Sequence, residues 1–260
     1  MTVPDLTIGR AIAIVAAGGG AGFINSIVGT GTLISFPTLV GVGFDKITAN
    51  VANNIGLFPG SASASWGFRH ELRGYWRTVG LLASASGVGG LFGALLLFRL
   101  SPNTFKVVVP FLILTGVALV LVQPLLVSRL RLRRSDSDHA EARRVTPVLW
   151  LAVCATGVYG GYFGAAQGVI LIGIMGIMLD EPLLRLNAVK NVLVTVVALV
   201  AGVVFLTKMS VPWTAVAFLA SGSITGGLLG ALVGRRIAPR VLRGLVATVG
   251  LIAAFRLLVL

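Results

Sequence analysis

Long apolar runs constrain this chain more than any other feature. Several of them exceed the ~20 residues that an α-helix needs to cross a bilayer. The mean hydropathy is +0.98. Charged residues make up only 11% of the chain, whereas a soluble domain carries about a quarter. The acidic residues lie between the apolar runs, not inside them. The sequence therefore predicts an all-α, polytopic membrane protein.

The net charge of +13 comes mainly from arginines that lie between the apolar runs. Arginines in loops orient membrane helices and contact anionic lipid. The predicted partner of this charge is therefore the lipid bilayer, and no nucleic acid is expected. The single cysteine, Cys154, lies inside an apolar run and cannot form a disulfide within the chain.

The chain contains an internal duplication. From Asn50 onward its two halves align without gaps at an offset of 137 residues, so that Asn50 corresponds to Asn187 and Trp76 to Trp213. A match of this length indicates two repeats of one structural unit. The predicted organisation is a first membrane repeat, a basic cytoplasmic linker and a second membrane repeat, at residues 1–128, 129–146 and 147–260.

Each half is predicted to begin with a helical hairpin that glycines interrupt and to continue with three spanning helices. The predicted hairpins cover residues 7–43 and 148–179, and the spanning segments are 48–66, 78–98 and 104–127, then 183–206, 212–233 and 240–258. Basic residues concentrate on the cytoplasmic side of membrane proteins. Their distribution here favours two inverted halves with both termini outside, a frequent arrangement in transporters.

Lys190 is the most informative polar residue, because it lies inside an otherwise apolar run. A lysine at the centre of a spanning helix costs ~3 kcal/mol on insertion scales. No acidic residue lies inside any apolar segment to neutralise it. A bound anion, a polar cavity, or snorkelling of the side chain to the membrane surface remain as explanations.

Asparagines accompany this lysine and recur in the first half. They are Asn50, Asn53 and Asn54 in the first half and Asn187 and Asn191 in the second. Their spacing of three and four residues places them on one face of each helix. Their amides could donate hydrogen bonds to an oxyanion. The alternative interpretation is that they only join helices.

The glycine breaks supply further candidate binding residues. Thr30, Gly31 and Thr32 lie at the first break, where backbone N–H groups at the start of a half-helix attract anions. Gln167 is the strong polar side chain at the second break. Broken helices at membrane depth are tolerated where they line a cavity or are buried in protein. With Lys190 and the five asparagines, these residues form the predicted substrate site.

Enzymatic motifs are missing from the sequence. It contains no HExxH motif, no nucleophile elbow, no pair of acidic residues within an apolar run and no phosphate-binding loop. The chain is therefore predicted not to be an enzyme, with no catalytic residue, no metal site and no cofactor, and ATP-driven transport is not encoded in it.

The glycine-rich hairpins carry a resemblance to a known family. Residues 22–31, with Pro37, and residues 157–164 open the two halves; an Asn/Ala-rich helix, a basic loop and a Gly-Gly-x-x-Gly-Ala helix follow each. This pattern resembles the TauE/SafE family of sulfite exporters over nearly the whole chain. The resemblance implies export of sulfite, a sulfonate or a related small sulfur anion. It also implies coupling to an ion gradient, with proton or sodium as possible coupling ions.

The leading hypothesis is a multi-pass plasma-membrane transporter that exports a small sulfur-containing anion by alternating access. A passive, channel-like pore for small polar solutes is one alternative, and a non-transporting membrane subunit that serves assembly is another. A homodimer is possible in each case.

Overall fold

The computed structural model describes residues 4, 6–133 and 145–233, together with five isolated positions nearer the C-terminus. Those positions are Gly244, Thr248, Leu251, Ile252 and Phe255. All regular secondary structure in the described residues is helical, which confirms the predicted all-α class. Most of the predicted linker and of the last predicted spanning segment, 240–258, lies outside the described residues.

The described chain forms nine α-helices and one short 3-10 helix, which spans Arg69–Leu72. The α-helices are α1 (Ile8–Ile27), α2 (Thr32–Val42), α3 (Lys46–Gly67), α4 (Trp76–Arg99), α5 (Pro102–Arg133), α6 (Pro147–Tyr162), α7 (Gln167–Met178), α8 (Leu183–Lys208) and α9 (Trp213–Val233). Helix α5 continues beyond its predicted end into the predicted linker.

Side-chain caps fix two of the helix starts. The Asp45 carboxylate accepts hydrogen bonds from the backbone N–H groups of Ile47 and Thr48, both at 3.1 Å, and so begins α3. The Thr146 hydroxyl accepts from Leu149 N at 3.2 Å, immediately before Pro147 at the first turn of α6. Both caps satisfy backbone donors that would otherwise have no partner within the helix.

Both hairpins break where the glycine pattern predicts. Gly29 follows α1 with φ 86°, and Gly164 follows α6 with φ 77°. Glycine adopts this left-handed backbone without the steric cost that other residues meet. Each break stops one helix and lets a second, shorter helix start inside the protein.

Five of the described helices are long and apolar enough to span a membrane: α1, α4, α5, α8 and α9. Helix α3 has 22 residues and is long enough to span a membrane, but its mean hydropathy is too low for it to be counted among these helices. Asn50, Asn53 and Ser61 of this helix are buried inside the protein, where α3 contacts α2, α8 and α9. A helix of this kind crosses a membrane with its polar groups facing neighbouring helices and not lipid.

The two halves interlock because the first helix of each half packs along a helix of the other half. Helix α1 lies along α9, and in the same way α6 lies along α4. Gly18 and Gly22 of α1 pack directly on the backbone of Leu219 and Ser223 of α9, where a Cβ atom would overlap. Because both residue numbers rise together along this contact, α1 and α9 run parallel.

The corresponding helices of the two halves, α3 and α8, run antiparallel. The hydroxyl oxygens of Ser65 and Thr195 are 3.1 Å apart. At the other end of the contact, Ile55 lies beside Gly202. The residue numbers therefore rise in opposite directions along the two helices. The overall inverted relation of the halves remains a prediction, which this crossing supports.

Candidate functional site

The candidate site begins where the two broken hairpins touch. Gly168, at the start of α7, donates its backbone N–H to the carbonyl oxygen of Gly29 at 3.2 Å. A Cβ at Gly29 would lie 2.5 Å from the Cα of Gly168, and a Cβ at Gly168 would lie 2.6 Å from the Cα of Gly29. No other residue type leaves room for this approach, so glycine at both positions is what brings the two breaks together.

Helix α8 holds the C-terminal end of α1. The Lys190 ammonium donates to the carbonyl oxygens of Asn25 at 2.8 Å and Ser26 at 3.3 Å. The Asn187 and Asn191 amides also donate to the Ser26 carbonyl, at 3.0 and 3.1 Å. The last carbonyls of a helix have no partner within it and carry a partial negative charge. The cation and the two amides therefore satisfy a helix end that water would otherwise have to solvate.

Helix α3 contacts the C-terminal end of α6 in a similar way, but through one hydrogen bond. Asn50, which corresponds to Asn187, donates its side-chain N–H to the Tyr162 carbonyl at 3.0 Å. Each half thus supplies an asparagine that satisfies the broken helix of the other half. For Asn50, Asn187 and Asn191, the structure shows the helix-joining contact that was the alternative interpretation of these residues, and a substrate-binding role for them remains a prediction.

The position of Lys190 excludes snorkelling. Its side chain is completely buried, and its ammonium contacts backbone carbonyls inside the protein. A snorkelling side chain would place its charge at the membrane surface. Lys190 lies directly behind Asn25, which faces the cavity described next.

A cavity of about 40 Å³ lies beside the crossing of the two breaks. Four predicted site residues line it: Thr32, Asn53, Asn54 and Gln167. Six others lie outside its lining: Thr30, Gly31, Asn50, Asn187, Lys190 and Asn191. One water needs roughly 10–15 Å³ of such volume, so the cavity has room for about three waters or one small ion.

Two helix N-termini end at this cavity. Thr32 is the first residue of α2 and Gln167 the first of α7, and both line the wall. The N-terminal end of a helix carries a partial positive charge and attracts anions. The two broken hairpins therefore direct two positive dipole ends at one small space.

The amide side chains at the cavity differ in whether their polar atoms already have hydrogen-bond partners. Asn53 accepts a short hydrogen bond from the Ser35 hydroxyl and donates to Thr32 at 3.3 Å. By contrast, the Gln167 side-chain nitrogen and the Asn54 side-chain oxygen have no hydrogen-bond partner within the described part of the chain. Gln167 is only 4% exposed. A buried amide nitrogen without a partner is costly, and an anion bound beside Gln167 would accept from it and remove that cost. The Asn54 oxygen is itself an acceptor and would need a donor from the ligand or from water.

Sequence reasoning missed two polar residues of this wall. Asn25 donates its side-chain N–H to the Ser61 hydroxyl at 3.1 Å, and both residues line the cavity. Asn25 lies in the glycine-rich motif at residues 22–31 but is a single polar residue there, without the repeated spacing that marked the other asparagines. The counterpart of Asn25 in the second half, Gly160, also lines the cavity; comparing the two hairpins position by position would have shown this asymmetry.

The comparison with known families agrees with this architecture. The model of the sulfite exporter TauE/SafE family matches residues 14–257 of the chain. The chain belongs to this family. The TauE/SafE match spans both broken hairpins and both asparagine-bearing helices, so it covers the complete candidate site.

Relatives of this TauE/SafE protein carry transporter names. It is 28% identical over 213 residues to a probable membrane transporter protein of Haemophilus influenzae, which covers 81% of the chain and 80% of that relative. It is also 28% identical to the probable membrane transporter protein YfcA of Escherichia coli K12 and 30% identical to the probable membrane transporter protein ORF9 of a Sinorhizobium species. Those alignments cover 57% of the chain and 52% and 54% of the relatives. No solved structure matches the chain.

The family, the relatives and the five apolar helices together identify a multi-pass transporter of the plasma membrane. This agrees with the resemblance on which the sequence prediction rested.

Proposed function

We propose that this protein exports sulfite, or a sulfur oxyanion of similar size, by alternating access around the cavity between the two broken hairpins. The observation that carries the proposal is the convergence of two helix N-termini and several amide side chains on one small interior space. The family description names sulfite exporters, which agrees with that chemistry.

The charge of the cavity favours an anion. Thr32 and Gln167 mark the two positive helix ends, and the side chains on the wall are neutral amides, hydroxyls and apolar groups. The described acidic residues lie at helix ends and in loops, at Asp45, Glu71, Asp180 and Glu181. The buried Lys190 ammonium, behind Asn25, adds a positive charge to this region. A cation would meet unfavourable potential here, and an anion a favourable one.

The size of the cavity favours a compact anion over an organic sulfonate. A volume of about 40 Å³ accommodates roughly three waters, which is comparable with the four heavy atoms of sulfite. A sulfonate that carries an amino-alkyl chain would require the hairpins to separate. The conformation described therefore fits sulfite more closely than the larger members of the substrate class.

The packing of the halves supports alternating access. Helices α3 and α8 cross antiparallel beside the cavity, and each hairpin ends against a helix of the other half. In transporters with inverted repeats, one repeat rocks against the other around a fixed site near the midplane. Relative motion of the two halves would open this cavity first to one side and then to the other.

Counterflow in proteoliposomes tests this function. Vesicles that contain the purified protein are loaded with unlabelled sulfite and diluted into a trace of labelled sulfite. A carrier accumulates the label transiently against its gradient, whereas a passive pore only equilibrates it. An assembly subunit moves no label above the level of protein-free vesicles. We expect transient accumulation, with sulfite a better competitor than sulfonates; equilibration alone would support the pore instead.

A further inference from the structure

Each hairpin places one amide side chain at the cavity, but the two amides come from helices that do not correspond in the two halves. Counted from Gly29 and Gly164, which end the two first helices, Asn25 corresponds to Gly160 and Thr32 corresponds to Gln167. The first half thus carries an amide in α1 and a short hydroxyl side chain at the start of α2. The second half carries glycine in α6 and a long amide at the start of α7. All four of the paired residues line the cavity.

Gly160 makes the position of Gln167 possible. A Cβ at Gly160 would overlap the carboxamide carbon, nitrogen and oxygen of Gln167. The Gln167 side chain is 4% exposed and its nitrogen has no partner within the described chain. The Gln167 amide thus lies at the wall of the cavity, next to the N-terminus of α7, and no group in the described chain accepts from its two N–H donors.

Asn25 is held from two sides. Its side-chain nitrogen donates one hydrogen bond to Ser61 at 3.1 Å, and its backbone carbonyl accepts from Lys190 at 2.8 Å. A primary amide has two N–H donors, so a second donor remains for a ligand in the cavity that Asn25 lines. The Ser61 contact orients the side-chain amide, and the Lys190 contact holds the backbone that carries it.

We propose that Asn25 and Gln167 form a pseudo-symmetric pair of amide donors that binds one oxyanion from both halves, and that Gly160 determines specificity by leaving room for Gln167. This inference rests on the proposed function. It accounts for the different polar residues of the two duplicated hairpins: each half supplies one amide to the cavity, from α1 in the first half and from α7 in the second. It assigns recognition to donors on both sides of a small anion.

An exchange of side chains tests the pair. Gln167→Thr removes the second amide, and Gly160→Asn forces the Gln167 side chain away. Each single variant should weaken sulfite binding by about 10- to 100-fold, the range for losing a hydrogen bond to a charged group. The combination of Gly160→Asn with Gln167→Thr copies the first hairpin into the second and again supplies one amide from each half. It should bind sulfite about tenfold or more tightly than additive single effects predict, because contacting residues couple.

The controls separate this inference from the proposed function. Gly80→Asn introduces the same side chain at an exposed position of α4 where a Cβ meets nothing within 4 Å, and it should leave sulfite binding unchanged. If Gly160→Asn fails to fold, Asn25→Leu and Gln167→Leu still test the pair, since each should weaken binding by a similar factor. Binding by the wild type without recovery in the double variant overturns the pair alone. No sulfite binding by the wild type overturns the proposed function and the pair with it.

Discussion

Lys190 is completely buried, yet its ammonium is not isolated. It lies 2.8 Å from the Asn25 carbonyl and 3.3 Å from the Ser26 carbonyl, at the negative end of α1. Breaking a buried charge arrangement usually costs several kcal/mol, because one partner is left without the other. Here the partners of the ammonium are neutral backbone carbonyls. One of them, the Ser26 carbonyl, also accepts from the Asn187 and Asn191 amides. We infer that Lys190 acts on an anion in the cavity through Asn25, whose carbonyl it contacts and whose side chain lines the cavity.

Replacing Lys190 with methionine should reduce sulfite binding by about tenfold or more, because a positive charge near the anion site is lost. The free energy of unfolding should fall by about 1–3 kcal/mol at most, because the Asn25 carbonyl loses its donor while Asn187 and Asn191 still satisfy the Ser26 carbonyl. Labelled-sulfite binding and thermal unfolding of the purified protein measure both effects. Lys208→Met, at the exposed end of the same helix, is the control. Undiminished binding in a folded Lys190→Met protein would make this lysine purely structural.

The asparagines of α3 divide into a structural and a ligand-facing group. Asn50→Leu should lower stability by about 1–3 kcal/mol, because the buried Tyr162 carbonyl loses its donor. Asn54→Leu should leave stability unchanged or raise it, since it removes an oxygen that has no partner in the described chain. Sulfite affinity should fall in Asn54→Leu, because the amide N–H donors of Asn54 are lost from the wall of the cavity. The two variants are compared by thermal unfolding and sulfite binding, and an equal loss of stability in both would contradict the division.

At the scale of elements, the broken hairpins are the features that position the site. Glycine spacing predicted both breaks, because Gly29 and Gly164 need a left-handed backbone that few other residues adopt. The spacing could not show that the breaks touch through Gly29 and Gly168, since that contact depends on how two distant segments pack. For the same reason, the spacing could not show which asparagine of α3 reaches the cavity. Asn50 and Asn53 share one helix face, but only Asn53 lines the cavity.

Gly29→Ala should abolish transport, because the new Cβ would lie 2.5 Å from the Cα of Gly168 and would separate the breaks. The matched control is Gly74→Ala. Gly74 also has a positive φ, 73°, but a Cβ there meets nothing within 4 Å. Both variants carry the backbone strain, of order 1–3 kcal/mol, so their difference isolates the contact. Counterflow and yield of folded protein are measured together; similar behaviour of the two variants would mean that the contact is dispensable.

Across the whole molecule, the two halves are joined by contacts that the proposed alternating access would have to change. Helices α3 and α8 belong to different halves and meet where the Ser65 and Thr195 hydroxyls lie 3.1 Å apart. Membrane class, duplication and helix positions followed from hydropathy and the repeated pattern of residues. The interlocking of α1 with α9 and of α4 with α6 did not, because periodicity within a segment carries no information about which distant segment it contacts.

Ser65→Cys combined with Thr195→Cys, in a Cys154→Ala background, should allow a cross-link between α3 and α8. If the halves rock against each other, oxidation should stop sulfite counterflow and reduction should restore it. Each single cysteine variant serves as a control and should be insensitive to oxidation. Full counterflow with the cross-link in place, verified by mobility on a gel, would show that this contact does not move.

Equilibrium binding of labelled sulfite to the purified protein shows whether the cavity is an anion site. Such a site predicts saturable binding at one site per chain, weakened in Asn54→Leu and Gln167→Leu and unchanged in Lys208→Met. No saturable binding, or binding that none of the cavity-lining substitutions alters, would contradict it.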